Sequence, residues 1–199
     1  MSIKELPFAH SLQKKIGSSL VWLPLSANQI TLSSVLFALV GLYFSSQLQP
    51  LPSLLLFLLA GALDAIDGAV ARARHQVTAK GAYIDGIVDR LVEFLLILSL
   101  LLYPLPAFLL PAELSLILVL FFGTTMTAFT IAYADHRKAA DQKKLAGVPG
   151  ILPRAERLLL LFAALALVPF YPAASSFLLF AVAALALVTF GQRFAHFAN

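Results

Sequence analysis

Long apolar segments separated by short connectors dominate the chain. Six of them, each close to the length that crosses a bilayer, lie at residues 27–48, 51–73, 82–104, 110–134, 155–172 and 174–192. The connectors QLQPLP, PLPAFLLPAE and PFYPAASS contain no Lys or Arg, and the 14 basic residues lie near the termini, in 72–90 and in 137–157. Basic loops remain on the cytoplasmic side of a membrane. The pattern predicts an all-α integral membrane protein of six transmembrane helices, with both termini in the cytoplasm.

An amphipathic segment precedes the first apolar segment. Apolar residues recur every four positions from Phe8 to Leu20, whereas Lys14 and Lys15 fall on another face of the same helix. One apolar stripe on a basic helix is typical of a helix that lies in the headgroup layer. We therefore expect an interfacial amphipathic helix at 1–25, although a simple tether also fits, and a six-helix bundle at 26–199. The two parts would form a single membrane domain, 1–199.

Composition supports a membrane protein and limits the possible chemistry. Of the 199 residues, 60% are hydrophobic and 12% are charged, whereas about a quarter of the residues in globular proteins are charged. Six spans leave no room for a second, soluble domain. The chain has no cysteine, which excludes disulfides and thiolate metal sites. Membrane lipid is an expected partner, and nucleic acid is not.

Four aspartates interrupt two neighbouring apolar segments. Asp64 and Asp67 lie in the second segment, and Asp85 and Asp89 lie in the third. Spacings of three and four put each pair on one helical face, and an antiparallel hairpin would bring all four carboxylates to two levels about 5 Å apart. Carboxylates placed in this way repel each other unless a cation lies between them. We expect two Mg²⁺ or Mn²⁺ ions, since both metals prefer oxygen ligands and paired ions serve displacement at phosphorus.

The neighbours of these aspartates suit a phosphorylated ligand. Gly68 and Gly81 lack side chains where a ligand would approach the backbone closely, and Arg72 is placed to meet a phosphate. Two alternatives stay open for the aspartates: ion pairs that merely hold the hairpin together, and the cation pathway of a transporter. Transporter carboxylates usually lie at the midplane on broken helices. The position of the aspartates near one membrane face, beside arginines, favours an enzyme that handles phosphate.

The aspartate hairpin resembles the signature of the CDP-alcohol phosphotransferase family. The matching positions are Asp64-x-x-Asp67-Gly68-x-x-Ala71-Arg72, eight residues, and then Gly81-x-x-x-Asp85-x-x-x-Asp89. The segment from Ala27 to Thr31 is similar to the family's Pro-Asn-x-x-Thr, with alanine in place of proline. The resemblance implies that an acceptor hydroxyl attacks the β-phosphorus of a CDP-linked alcohol, such as CDP-diacylglycerol or CDP-archaeol, and that CMP leaves.

The resemblance also implies residue roles. Asp64, Asp67, Asp85 and Asp89 would be metal ligands, and Asp89 would also be the general base that accepts the proton of the acceptor hydroxyl. The CDP-binding residues would be Asn28, Thr31, Asp64, Gly68, Ala71, Arg72 and Gly81. From the residues alone, Asn28 and Thr31 could equally be a helix cap and its neighbour. Members of the family commonly form homodimers, and we expect one here.

The second basic loop bears on the identity of the acceptor. Arg137, Arg154 and Arg157 lie at predicted helix ends, and guanidinium groups bind phosphate through paired hydrogen bonds. The stretch GILPRAERL is similar to the Gly-x-x-x-Arg-x-Glu-Arg-Leu of phosphatidylinositol-phosphate and archaetidylinositol-phosphate synthases. We therefore predict that these three arginines bind an inositol phosphate acceptor. Glycerol 3-phosphate would require the same arginines, whereas serine would not.

Overall fold

The computed structural model describes residues 26–74 and 76–198, so the predicted interfacial helix at 1–25 lies outside the described residues. Within the described residues the regular secondary structure is entirely helical, which confirms the all-α prediction. The helices are α1 (Ala27–Ser46), α2 (Pro50–Ala73), α3 (Ala79–Leu101), α4 (Ala112–Leu118), a π-helical segment (Val119–Met126), α5 (Thr127–His136), α6 (Gln142–Ala146), α7 (Arg154–Leu167) and α8 (Pro172–Ala198).

Four helical segments are long and apolar enough to cross a membrane. They are Asn28–Ser46, Pro50–Ala73, Ala112–His136 and Pro172–Ala198. The third of these runs continuously through α4, the π-helical segment and α5. The coarse prediction of an integral membrane protein with several spanning helices agrees with this arrangement.

The other two predicted segments form α3 and α7, which depart from the composition or length of a typical span. α3 has 23 residues but includes Asp85, Asp89, Arg90 and Glu93. α7 has only 14 residues and ends at Leu167, five residues before the predicted end of its segment. Pro169 follows the C-terminal cap residue of α7 by one position, and proline cannot continue a helix.

The described chain divides into two compact units, one ending at Tyr103 and the other beginning at Pro104. In the first unit, α1 packs against both α2 and α3. Close approach of α1 to α2 depends on Gly41, because a Cβ atom there would lie 3.0 Å from Cε2 of Phe57. Phe57 is fully buried, as are the apolar side chains Ala38, Ala60, Val70 and Leu100.

A buried hydroxyl cluster joins the three helices of the first unit at one end. The Ser45 hydroxyl contacts the hydroxyls of Ser53 (2.6 Å) and Ser99, and Tyr103 donates to Ser45 Oγ at 3.0 Å. The apolar interior offers no water to such groups, so their partners must come from the protein. Ser53 and Asp67 are separated by about 20 Å along α2 at 1.5 Å per residue. The hydroxyl cluster therefore holds the end of the unit opposite the aspartates.

Side-chain caps determine where α1 and α3 begin, next to the predicted CDP residues. Ser26 forms a capping box with Gln29 at the start of α1. At the start of α3, Thr78 Oγ1 accepts a hydrogen bond of 3.0 Å from Gly81 N. Both caps satisfy backbone N–H groups that an α-helix leaves without internal partners.

The second unit packs the π-helical segment, α4, α5 and α7 against α8. Its core is apolar and includes Leu116, Val119, Leu161, Leu165 and Leu179, all at most 1% exposed. Ser175 of α8 donates to the Ala164 carbonyl of α7 at 2.9 Å. The short helix α6 is capped by Asp141, whose side chain accepts from Lys144 N at 2.7 Å.

Candidate functional site

Three of the four aspartates converge in the first unit. One carboxylate oxygen from each of Asp64, Asp85 and Asp89 lies within 4.8 Å of the other two, and all three residues are half-buried. Asp64 comes from α2, and Asp85 and Asp89 lie one turn apart on α3. We call these three residues the acidic centre. Hard oxygen donors at this spacing suit Mg²⁺ or Mn²⁺.

Asp67 lies beside the acidic centre and has a partner from α1. It is 4% exposed, and the Thr31 hydroxyl donates a hydrogen bond to its Oδ2 atom. Asp67 also interacts electrostatically with Asp85 and Asp64. The sequence predicts a CDP contact for Thr31; in the structure its hydroxyl orients the Asp67 carboxylate. α1 is thereby tied to the acidic centre.

The other predicted CDP residues lie close to the backbone of α2 and α3. The Arg72 guanidinium folds over Gly68, where a Cβ atom would lie 3.3 Å from Nη1. A Cβ atom at Gly81 would lie 3.1 Å from Thr78 Oγ1 and 3.6 Å from Asn28 Oδ1. The structure thus brings Asn28 and Gly81 together where α1 and α3 begin. Ala71 of α2 is half-buried.

Two arginines meet inside the second unit. Arg157 of α7 is 4% exposed and passes Gly123 of the π-helical segment, where a Cβ atom would lie 3.1 Å from Arg157 Cδ. Arg193 of α8 interacts electrostatically with Arg157, and its Nη1 donates to the Thr127 carbonyl at 2.7 Å. We call Arg157 and Arg193 the basic centre. Like charges held together in a buried place repel each other, and an anion bound between them would relieve the repulsion.

The other two predicted acceptor residues differ in their surroundings. Arg154 is half-buried at the first position of α7, one turn before Arg157. Arg137 is exposed and packs on its own helix: its Nε donates to Tyr133 Oη at 3.0 Å, and its guanidinium carbon lies 5.2 Å from the centre of the Tyr133 ring. Of the predicted set, Arg157 is therefore the residue that the structure places in the basic centre.

Arg193 is a residue that the sequence pattern did not single out. It follows the last predicted apolar segment, where a single basic residue is accounted for equally well by the cytoplasmic location of a helix end. The π-helical turn was missed as well, although such turns often occur at functional sites. The sequence signal for Arg193 was its position at the end of a predicted span, which many basic residues share.

Comparisons with known proteins agree with the chemistry of these residues. Residues 24–190 match the sequence model of the family described as CDP-alcohol phosphatidyltransferase. The chain is 29% identical over 152 residues to the archaetidylinositol phosphate synthase of Pyrococcus horikoshii, covering 76% of this chain and 74% of that protein. It is 36% identical over 107 residues to the bifunctional IPC transferase and DIPP synthase of Archaeoglobus fulgidus, covering 52% of this chain and 20% of that protein.

The chain is also similar to a human protein and to solved structures of a bacterial enzyme. The human CDP-diacylglycerol–inositol 3-phosphatidyltransferase is 41% identical over 78 residues, which are 39% of this chain and 36% of that protein. Phosphatidylinositol phosphate synthase of Mycobacterium tuberculosis, solved with manganese and citrate, aligns with a TM-score of 0.79 at 20% identity, covering 94% of this chain and 89% of that one. The same enzyme with CDP-DAG bound gives a TM-score of 0.73 at 22% identity, covering 95% and 94%. These structures share the fold.

Proposed function

Because the chain belongs to the CDP-alcohol phosphatidyltransferase family, we propose that it transfers the substituted phosphate of a CDP-linked alcohol to the hydroxyl of an acceptor alcohol and releases CMP, in phospholipid biosynthesis. The observation that carries this proposal is the acidic centre, in which carboxylate oxygens from two helices lie within 4.8 Å of one another. Such a cluster inside an apolar unit is costly to form unless it serves a ligand.

The acidic centre fits a divalent metal site. Asp64, Asp85 and Asp89 would hold Mg²⁺ or Mn²⁺, and Asp67, oriented by Thr31, would add a further carboxylate for a second ion. Phosphatidylinositol phosphate synthase of M. tuberculosis has been solved with manganese, which supports the same choice of metal. When bound, the ions neutralise the diphosphate and stabilise CMP as the leaving group.

Other residues of the first unit bind the CDP group and accept the proton of the acceptor hydroxyl. Arg72, folded over Gly68, binds a phosphate oxygen of the CDP group. Asn28 and Gly81 lie together at the helix starts and form the nucleotide side of the site with Ala71. Asp89 accepts the proton of the acceptor hydroxyl as the new bond to phosphorus forms.

We assign the acceptor's phosphate to the basic centre. Arg157 and Arg193 lie close enough to repel each other, and Arg154 lies one turn before Arg157. Bidentate binding of a phosphomonoester satisfies this arrangement, whereas neutral inositol or zwitterionic serine does not require it. The archaetidylinositol phosphate synthase relative supports inositol phosphate as the acceptor. Arg137 remains a predicted contact.

The lipid substrate and the membrane arrangement are parts of the same proposal. CDP-diacylglycerol and CDP-archaeol are the proposed lipid substrates; the former is supported by the structure of the mycobacterial enzyme with CDP-DAG bound. In a single domain of residues 1–199, α3 and α7 join the four apolar segments as spans, which makes six. Basic residues lie in and beside the α2–α3 connection (Arg72, Arg74 and Lys80) and between α5 and α7. This supports a cytoplasmic location for both termini and for the active site, with the protein in the cell membrane. The interfacial helix and the homodimer remain predictions.

The test is CMP release by the purified protein, with CDP-diacylglycerol or CDP-archaeol, Mg²⁺ or Mn²⁺, and one acceptor at a time. The acceptors are inositol 1-phosphate, inositol, glycerol 3-phosphate and serine. We expect turnover with inositol 1-phosphate. Turnover with glycerol 3-phosphate instead would retain the reaction and change the acceptor, and turnover with serine would contradict the role of the basic centre. Absence of both CMP release and cytidine nucleotide binding would favour a cation transporter.

A further inference from the structure

The chain immediately before α7 is held by side chains rather than by backbone pairing. Residues 147–153, here called the pre-α7 loop, connect α6 to α7 without regular secondary structure. Ile151 N donates to Gln192 Oε1 at 3.1 Å, and Leu152 N donates to Thr189 Oγ1 at 3.0 Å. Both acceptors belong to α8 and lie three residues apart on one helical face.

Two more residues of the same face of α8 bind this part of the chain. Arg193 Nε donates to the Pro149 carbonyl at 3.3 Å, and His196 Nε2 lies 3.0 Å from the Lys144 carbonyl. Positions 189, 192, 193 and 196 follow the spacing of a continuous helical stripe. Two turns of α8 therefore form hydrogen bonds with the backbone of α6 and of the pre-α7 loop.

The fit at Thr189 is close. Thr189 is 1% exposed and Leu152 is 3% exposed. A Cβ atom at Gly150 would lie 3.1 Å from Thr189 Cγ2 and 3.5 Å from Arg193 Nη2, so the absence of a side chain at Gly150 lets the loop lie against α8. The Thr189 hydroxyl donates in turn to the Leu185 carbonyl at 2.8 Å. This donation points its lone pairs towards the loop.

These contacts lead directly to the basic centre. α7 begins at Arg154, two residues after Leu152, and Arg157 N donates to the Pro153 carbonyl at 3.0 Å. The loop also accepts from Arg193 through Pro149. The position of the loop on α8 thus determines where α7 starts and where the Arg193 guanidinium is held.

We propose that Thr189 and Gln192 are positioning residues for acceptor binding: they hold the pre-α7 loop on α8 and thereby set the geometry of the arginines that bind the acceptor's phosphate. This inference rests on the proposed function, because it concerns the acceptor site. The proposed role requires no contact between either side chain and the acceptor. Their effect passes through the backbone N–H groups of Ile151 and Leu152.

The kinetic test uses Thr189→Val and Gln192→Leu, which keep a similar side-chain volume but remove the oxygen atoms that accept hydrogen bonds from Leu152 N and Ile151 N. Thr189→Val leaves the buried Leu152 N–H without its partner, so we expect the acceptor KM to rise roughly tenfold. Gln192→Leu should give a smaller rise, of about threefold, because Ile151 is exposed. The KM for the CDP-lipid should remain that of the wild-type protein in both variants. Thr189→Ser retains the hydroxyl oxygen that accepts from Leu152 N and should give the wild-type KM for the acceptor alcohol.

Ser176→Ala is the matched control. Ser176 lies near the start of α8, and its hydroxyl bonds the Pro172 carbonyl of its own helix at 3.2 Å, so this variant should leave both KM values unchanged. If Thr189→Val does not fold, Gln192→Leu decides the question. Suppose that the wild-type protein turns over a phosphorylated acceptor and that Thr189→Val (or Gln192→Leu, if Thr189→Val does not fold) has an unchanged KM for that acceptor. This result would overturn the positioning role and leave the proposed function standing. Absence of wild-type turnover with every phosphorylated acceptor would overturn the proposed function instead.

Amide hydrogen exchange provides a second readout that does not depend on activity. The amide of Leu152 should be protected in the wild-type protein and in Thr189→Ser, and it should exchange faster in Thr189→Val while core amides of α7 keep their protection. Equal protection in the wild-type and Thr189→Val proteins would show that Thr189 does not hold the loop, whichever acceptor the enzyme uses.

Discussion

The acidic and basic centres gather like charges in different ways. The acidic centre takes its residues from one local hairpin, with Asp64 and Asp89 only 25 positions apart. The basic centre joins Arg157 to Arg193, 36 positions apart on two helices, and its geometry depends further on a π-helical glycine and on the pre-α7 loop. The acidic centre can be deduced from helical spacing, whereas the basic centre depends on packing between helices that are distant in sequence.

The two centres also differ in how their charges are supported. Asp67, next to the acidic centre, receives a hydrogen bond from Thr31 of a third helix. In the basic centre, Arg193 is held by the carbonyl groups of Thr127 and Pro149. A carbonyl oxygen can accept a hydrogen bond from any of the five N–H donors of a guanidinium. We therefore expect substitutions in the acidic centre to affect the metal, the nucleotide or the proton transfer, and those in the basic centre to affect the acceptor.

The largest expected effect is that of Asp89→Asn in the acidic centre. The amide cannot accept the proton of the acceptor hydroxyl, so CMP release should fall by roughly 10²–10⁴-fold. Mn²⁺-dependent binding of CMP, measured by calorimetry, should persist because Asp64 and Asp85 remain. Asp135→Asn, an exposed acid at the end of α5, is the control and should retain turnover. Normal turnover in Asp89→Asn would place the general base elsewhere.

The acceptor site is tested by Arg193→Gln in the basic centre and by Arg154→Ala, one turn before Arg157. Loss of a charged hydrogen-bond donor should raise the acceptor KM by roughly 10–100-fold for each variant, with the CDP-lipid KM nearly unchanged. Initial rates measured against each substrate separate the two effects. The exposed Lys143→Gln of α6 removes one positive charge without touching either arginine. An equal rise of the CDP-lipid KM would mean that the two centres do not divide the substrates as proposed.

The hydrogen bond from Thr31 to Asp67 tests whether the carboxylate beside the acidic centre must be oriented for metal binding. Thr31→Val removes the donor to the carboxylate and should reduce metal affinity or activity by about 10–100-fold, as loss of a residue that orients a ligand typically does. Half-saturation by Mn²⁺ in the CMP-release assay measures this, and Thr31→Ser should behave as wild type. Ser33→Ala is the control, because its hydroxyl donates to the Ile30 carbonyl of its own helix. An unchanged Mn²⁺ requirement in Thr31→Val would remove Thr31 from the metal site.

The smallest effects are expected from a pair of glycine substitutions, one beside each centre. A Cβ atom would lie 3.1 Å from Thr78 Oγ1 in Gly81→Ala and 3.1 Å from Arg157 Cδ in Gly123→Ala. We expect Gly81→Ala to raise the CDP-lipid KM and Gly123→Ala to raise the acceptor KM, each by about three- to tenfold for a side-chain shift worth ~1 kcal/mol. Gly191→Ala, with nothing within 4 Å of its Cβ position, should change neither. The opposite pattern of KM changes would reverse our assignment of substrates to centres.

Much of the fold and of the acidic centre could be predicted from the sequence. Each of the six predicted apolar segments overlaps a helix, because apolar length and proline-containing connectors act locally. The meeting of Asp64 with Asp85 and Asp89 followed from the spacing of four between Asp85 and Asp89 and from the antiparallel hairpin. The hydrogen bond between Asp67 and Thr31 was not predicted, since Thr31 lies on α1, outside that hairpin.

The sequence by itself determined the all-α membrane character, the hairpin that gathers carboxylates, and the family signature between Asp64 and Asp89. All three depend on short-range periodicity, which the regular geometry of a helix converts into a shared face. Tertiary structure alone decided that Arg193 meets Arg157, that Thr31 bonds Asp67, and that α8 holds the pre-α7 loop. These contacts join residues 36 or more positions apart, and packing between helices, which no local pattern specifies, determines which of the possible neighbours touch.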